Sequence, residues 1–230
     1  MPERTAVVFD LDDTLYPERR FALSGYAAVA RLVGAETGMP PPVLYRFLVR
    51  RFRQRGREGL LQALCAAFAL PLTEVPRLVE VIRTHVPRLL LPRLSRQVLD
   101  ELRARGHRLG ILTNGLPSTQ RGKVQALGIE SLVDAVVYAQ EHAPAGKPAR
   151  VCFVAVLHRL DVPASQAVFV GDHPDKDIAG AAAAGLHPIW LPGRRRDAPP
   201  VTAGAVAASL ADVPDLVARL LEEDHHVAPC

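Results

Sequence analysis

The chain reads as an α/β protein, a parallel sheet with helices on both faces, carrying a separate block of helices near its N-terminus. Three observations predict this. The run Ala6-Val7-Val8-Phe9 is short, continuous and rich in β-branched and aromatic residues, as a central strand buried on both faces must be. Beyond about residue 106, similar runs alternate with helical patterns through short links, which implies a parallel sheet with right-handed crossovers. Between them, from Tyr16-Pro17 to Pro92, apolar residues recur every three or four positions, with Gly and Pro as punctuation.

Within the helical block, Phe21 to Val33, Pro41 to Arg53, Glu58 to Ala69 and Thr73 to Val86 are the expected helices. Leu94 to Arg105 follows as an amphipathic helix with Ser95 as a candidate N-cap and Gly106 as its stop. The alternating region then predicts strands at Arg108 to Thr113, Ala135 to Tyr138, Ala167 to Val170 and His187 to Leu191. Helices are expected at Gln120 to Leu127, Val151 to Leu160 and Ile178 to Ala184. A short strand near Ala205 to Ala208 and a helix over Pro214 to Leu221 close the chain, with Glu222 to Cys230 expected to fray.

Composition excludes several classes. At 230 residues and 49% hydrophobic content the chain can bury a full core. No apolar stretch reaches the roughly 20 residues of a membrane helix, and Met-Pro-Glu-Arg lacks a signal-peptide pattern, so the cytoplasm is the expected compartment. Cys65, Cys152 and Cys230 are too few and scattered for a disulfide framework or a zinc site and are read as free thiols. The net charge of +4 does not point to a nucleic acid polymer, because the densest basic run, Arg46 to Arg57, lacks interleaved aromatics and reads as a solvated helix face. Of the 28 basic residues only Lys123, Lys147 and Lys176 are lysines.

The chemistry concentrates at strand ends. Asp10 and Asp12 follow the first strand, at the edge where open α/β sheets bind ligands. Two carboxylates about 4 Å apart repel by roughly 4 kcal/mol at an effective dielectric of 20. A divalent cation, a lysine or a shared proton must compensate. Taken alone, Asp12-Asp13-Thr14 would also suit a turn or a helix cap. Three further segments occupy the same topological position and argue against that simpler reading. Thr113-Asn114-Gly115 offers a hydroxyl, an amide and turn N–H groups suited to phosphate oxygens. Gly146-Lys147-Pro148 places a rare lysine before a helix expected to open on proline. Gly171-Asp172 ends an apolar run, and Asp177 follows five residues later. Capping by Asp175 or Asp177 would explain part of that segment but not Asp172. Hard oxygen donors without a His or Cys cluster suit Mg²⁺.

These four segments resemble the four motifs of the haloacid dehalogenase-like hydrolase superfamily, in the family's order and spacing, across essentially the whole chain outside the helical block. The resemblance implies a Rossmann-like catalytic core of residues 1–16 and 93–230, with residues 17–92 as a helical cap inserted after the first motif. It implies a Mg²⁺-dependent phosphohydrolase that cleaves a small phosphate monoester, such as a nucleotide or sugar phosphate, through an aspartyl phosphate. On that pattern Asp10 is the nucleophile and Asp12 the acid–base. Thr113 and Asn114 bind phosphate, and Lys147 screens phosphate from nucleophile. Asp172 completes a metal site with Asp10 and the backbone carbonyl of Asp12, while Asp177 binds through water or orients the shell.

Dehalogenases of the superfamily lack the second aspartate, and its phosphonate hydrolases and sugar phosphomutases keep a cap lysine. Asp12 is present here, and residues 17–92 contain no lysine, so simple hydrolysis is the expectation. Ile111 to Gly115 is similar to nucleotidase-like members, whereas Ala149-Arg150 stands where the family often carries an acid after Lys-Pro. Tyr45, Arg50 and Arg53 are the cap side chains that could meet substrate. His173 either contacts substrate or fills a loop, and His142 is expected to face solvent. A hydrolase of another substrate class within the superfamily is one alternative. Another is a phosphoacceptor module like response-regulator receivers, which are smaller and lack the insert. The expected partner is a small phosphorylated metabolite, without membrane or nucleic acid.

Overall fold

A computed structural model describes residues 4–193 and 199–225. The chain forms two compact units, Met1–Pro17 with Leu90–Cys230, and Glu18–Leu89. The first is organised on a six-stranded sheet. Its strand β1 (Ala6–Phe9) is buried along its whole length. The chain then leaves for the helical unit, which holds α1 (Arg19–Thr37), α2 (Pro41–Arg55), α3 (Leu60–Ala67) and α4 (Val75–Thr84). Returning, it forms α5 (Arg93–Ala104), β2 (Arg108–Thr113), α6 (Pro117–Leu127), β3 (Ala135–Tyr138) and α7 (Arg150–Leu160). The remaining elements are β4 (Ala167–Gly171), α8 (Gly180–Ala184), β5 (His187–Trp190), β6 (Ala205–Val206) and α9 (Val213–His225).

All the pairings are parallel, in the order β3-β2-β1-β4-β5-β6. Phe9 stands opposite Ile111 on one side and Val170 on the other, so β1, β2 and β4 run out at the same edge. Asp10, Thr113 and Asp172 are therefore delivered to one place by register. Successive side chains alternate between sheet faces. On one face Ala6, Val8, Leu112 and Phe169 pack with Phe153, Val156 and Leu160 of α7 and with Ala181 of α8. The Phe153 and Phe169 rings meet edge to face at 5.3 Å. The other face carries α5 and α9.

The helical unit has its own core. Tyr26, Val29 and Val33 of α1 pack with Leu44 and Leu48 of α2, Leu64 of α3 and Leu78 of α4. Its arginines at 46, 50, 53, 55 and 57 are exposed, as a solvated face requires, and Arg51 is half-buried. Arg57 pairs with Glu18 at 2.9 Å.

Several elements depart from the sequence expectation. Ser95 is not a cap: α5 starts at Arg93, and Ser95 is buried inside it, donating from Oγ to the Leu15 carbonyl at 2.6 Å. A buried acceptor recruited the hydroxyl, which overrode its local preference for a helix end. Helix α6 begins at Pro117, three residues before the expected start, with proline at the position where no N–H is needed. Conversely, α7 begins at Arg150, so Pro148 lies in the preceding turn rather than opening the helix. Helix α9 continues to His225, past the expected fraying point, while residues 226–230, including Cys230, lie outside the described residues. Cys65 and Cys152 are buried free thiols. No described helix is long and apolar enough to cross a membrane.

Candidate active site

Asp10 leaves β1 with its N–H bonded to the Val170 carbonyl at 2.9 Å, which continues the sheet by one residue and fixes where its side chain emerges. The carboxylate is buried, with Oδ1 2.6 Å from Lys147 Nζ. The same ammonium lies 2.7 Å from Asp177 Oδ1. Lysine is almost never buried unless paired, and Lys147 is paired twice. Burial pulls its pKa down, but Asp10 and Asp177 outweigh that and hold it above the ordinary lysine range. The effect on Asp10 is opposite. Burial is the largest influence and raises it, Lys147 pulls back, and the charges of Asp177 and Asp12 add to the rise, leaving it at about 8. One ammonium does not compensate this many carboxylates.

Asp12 is held differently. Lys123 Nζ lies 2.9 Å from its Oδ1 and 2.7 Å from its Oδ2. Gln120 Nε2 donates to Oδ2 at 2.9 Å, and the Tyr16 hydroxyl donates to Oδ1 at 2.6 Å. Asp13 between the two motif acids and Thr14 has φ of +60°, a conformation that Asp tolerates better than most residues, and its N–H bonds the Tyr16 carbonyl at 2.9 Å. It builds the turn that brings Tyr16 back onto Asp12.

Thr113 is buried at the end of β2, its Oγ1 accepting from Gln120 Nε2 at 2.6 Å. Having accepted one bond, a hydroxyl still has a proton to donate. Asn114 clamps the backbone of Lys147: its Oδ1 accepts from the Lys147 N–H at 2.8 Å and its Nδ2 donates to the Lys147 carbonyl at 3.1 Å. Gly146 makes that clamp possible. Its φ is +67°, and a Cβ there would stand 2.5 Å from Asn114 Oδ1.

Asp172 follows β4 at the edge, half-buried, and its carbonyl accepts from Trp190 Nε1 at 3.0 Å. The segment after it coils as a π-turn, Pro174–Ala179, and swings Asp177 back beneath the edge. His173 makes local contacts in this segment. Its Nδ1 accepts from the N–H groups of Asp175 and Lys176 at 3.3 and 3.4 Å, so the cap of the turn is His173 and not Asp175 or Asp177. Its N–H in turn donates to Asp177 Oδ2 at 3.0 Å.

The residues fit a divalent cation. Asp10, Asp172 and Asp177 each offer a carboxylate oxygen, all within 4.8 Å of one another. Asp177 Oδ1 is buried and, apart from its ionic contact with Lys147, has no well-directed hydrogen bond. All the donors are hard oxygens, the set that suits Mg²⁺ over softer metals. The Asp12 side chain is not in this group, because Lys123, Gln120 and Tyr16 occupy it. Its contribution to a metal would come from the backbone.

The structure thus brings together Asp10, Asp12, Thr113, Asn114, Lys147, Asp172 and Asp177 at one sheet edge. His142 is exposed, away from these contacts. Tyr45, Arg50 and Arg53 belong to the helical unit, as half-buried and exposed residues of α2. Sequence reasoning missed Lys123, Gln120 and Tyr16. One signal was present: Lys123 is one of only three lysines in a chain that otherwise uses arginine.

A parallel sheet whose carboxyl edge gathers four aspartates and a buried lysine defines a hydrolase of the haloacid dehalogenase type. The profile of the haloacid dehalogenase-like hydrolases matches residues 5–185, and the chain belongs to that family. It is 32% identical to a glyceraldehyde 3-phosphate phosphatase of Methanopyrus kandleri, over 79% of this chain and 81% of that one. It is 33% identical to a ribulose-1,5-bisphosphate 5-phosphatase of Halopiger xanaduensis, over 84% of this chain and 87% of that one. Among solved structures, a 2-haloacid dehalogenase from Pseudomonas syringae superposes with a TM-score of 0.62 at 28% identity, over 94% and 99% of the two chains.

Proposed function

We propose that this protein is a Mg²⁺-dependent phosphatase that cleaves a small phosphorylated metabolite through an aspartyl phosphate on Asp10. The observation that carries the reading is the group Asp10, Asp172 and Asp177 around Lys147, whose ammonium contacts two of the three. The relatives that cleave phosphate from small sugar phosphates support the substrate class.

Asp10 attacks phosphorus, forming one P–O bond while the ester P–O bond breaks. Asp12, in its protonated form, gives that proton to the leaving oxygen. In the second half, Asp12 takes a proton from water as the water oxygen attacks phosphorus and the Asp10 carboxylate departs. Splitting one difficult displacement in two is the advantage of covalent catalysis. Thr113 has a hydroxyl proton to donate to phosphate oxygens, Asn114 fixes Lys147, and Lys147 balances the anionic charge that nucleophile and phosphate bring together. Mg²⁺ bound by Asp10, Asp172 and Asp177, with the Asp12 carbonyl, would neutralise the remaining charge.

The likeness to a 2-haloacid dehalogenase favours carbon–halogen cleavage as a second reading. Asp12 argues against it, since dehalogenases lack that residue and this chain surrounds it with three donors.

The test is phosphate release from an aryl phosphate and a panel of sugar phosphates. It should require Mg²⁺, stop on chelation, and fall on the order of a thousandfold in Asp10→Asn. Turnover surviving Asp10→Asn would remove Asp10 from its role, and halide release from a 2-chloroacid would establish the second reading.

A further inference from the structure

We propose that Lys123 and Gln120 of α6 are positioning residues that hold the Asp12 carboxylate in the one orientation from which it serves as acid and base. This rests on the reading of Asp12 given above.

The two side chains lie three residues apart, on one face of the helix. Both are buried, at 3% and 1% exposed. Lys123 spans both carboxylate oxygens, at 2.9 and 2.7 Å. Gln120 Nε2 stands between Asp12 Oδ2 at 2.9 Å and Thr113 Oγ1 at 2.6 Å. One amide thus ties the acid after β1 to the hydroxyl that ends β2. With Tyr16 on Oδ1 at 2.6 Å, the carboxylate is held from three directions.

Stability alone is a poor reason for this arrangement. A buried lysine–carboxylate pair is often no better for the fold than apolar residues of similar volume. What such a set of contacts supplies is a fixed orientation, which a proton-transfer group needs within a fraction of an ångström. The chain also places lysine here where its composition would favour arginine. A compact ammonium at the end of a four-carbon stem fits between the two oxygens without demanding a planar fork.

The two half-reactions provide a readout that a structural role would not move. Nitrophenolate leaves without needing a proton, whereas the alkoxide of glycerol phosphate needs one from Asp12. Both substrates then require an ionised Asp12 to accept the proton of the attacking water, a state that the alkyl ester leaves behind by taking the proton and that the aryl ester needs from the start. In Lys123→Met, p-nitrophenyl phosphate should still give a burst of about one equivalent at near the original rate, followed by slowed steady-state turnover. Single-turnover cleavage of glycerol phosphate should fall about 100-fold, the scale of lost general acid–base catalysis, with its KM changed less than about threefold, while for the aryl ester KM falls together with kcat and kcat/KM stays near the original. Lys123→Arg should recover part of the loss.

An equal fall in the aryl burst and the alkyl rate, or a raised KM at unchanged kcat, would overturn the proposal. If Lys123→Met does not fold, as judged by its thermal transition, Gln120→Met serves in its place, with the same selective pattern expected at about tenfold. Wild-type protein without Mg²⁺-dependent release from either ester, or turnover that survives Asp10→Asn, would instead overturn the underlying reading of the site, and this one with it.

Discussion

Asp10 and Asp12 stand two residues apart at the end of one strand and meet opposite treatment. Asp10 is buried against Lys147, with other acids adding their charge, whereas Asp12 receives three donors. A pH dependence follows. Asp10 has an ordinary value of 3.8 and is pushed to about 8 in the metal-free fold. The folded state therefore binds this proton more tightly than the unfolded chain. Its contribution to stability is full below the unfolded value and is lost as the pH rises through the folded one. Asparagine in its place does not titrate. The melting temperature of metal-free wild type, measured against that of metal-free Asp10→Asn, should decline between pH 3.8 and about 8. Saturating Mg²⁺ should reduce the decline. A difference that stays flat with pH in the absence of metal would contradict this account of Asp10.

Two elements contribute features that no single residue reveals. The π-turn after β4 returns Asp177 to the edge, and Gly171 leaves the space for it: a Cβ at Gly171 would stand 2.5 to 2.6 Å from the Cβ, Cγ and Oδ2 of Asp177. Gly171→Ala should therefore displace Asp177, cost about 1–3 kcal/mol as overpacking, and weaken Mg²⁺ binding by about 10–100-fold, as disturbed metal shells do. Isothermal calorimetry and urea unfolding would measure the two effects, and unchanged Mg²⁺ affinity would show that Asp177 is not held by this contact. Helix α6 is the second such element. Its pattern was legible from Gln120 onward, but its start at Pro117 was not. The expected start made Gln120 the first helical residue, whereas it sits inside the helix, one turn before Lys123. Ser95 shows the same limit. A serine near a helix start reads locally as a cap, and only the buried Leu15 carbonyl, distant in sequence, explains where its hydroxyl goes.

At the scale of the molecule, the hydrophobic cores of the described residues include one between the sheet and α7 and a separate one among α1 to α4. Leu64 is completely buried in the second. Leu64→Ala should cost about 2–5 kcal/mol. Hydrogen exchange should then accelerate across residues 18–89 while β1, β2 and β4 keep their protection. Equal acceleration in both units would mean that they unfold as one.

The sequence by itself determined the sheet, because strands buried on both faces must be written as continuous apolar runs. It also determined which acids, hydroxyl and lysine stand at the sheet edge, since each ends or follows such a run. Family membership was legible for the same reason: the four motifs occupy fixed places relative to those strands. Only the tertiary structure decided which partner each acid has. Lys147 reaches Asp10 across 137 positions and Lys123 reaches Asp12 across 111. Those pairings depend on where the loop before α7 and the helix α6 pack against the sheet. Local pattern carries burial and periodicity, but contacts between side chains so far apart in sequence exist only once the core has closed.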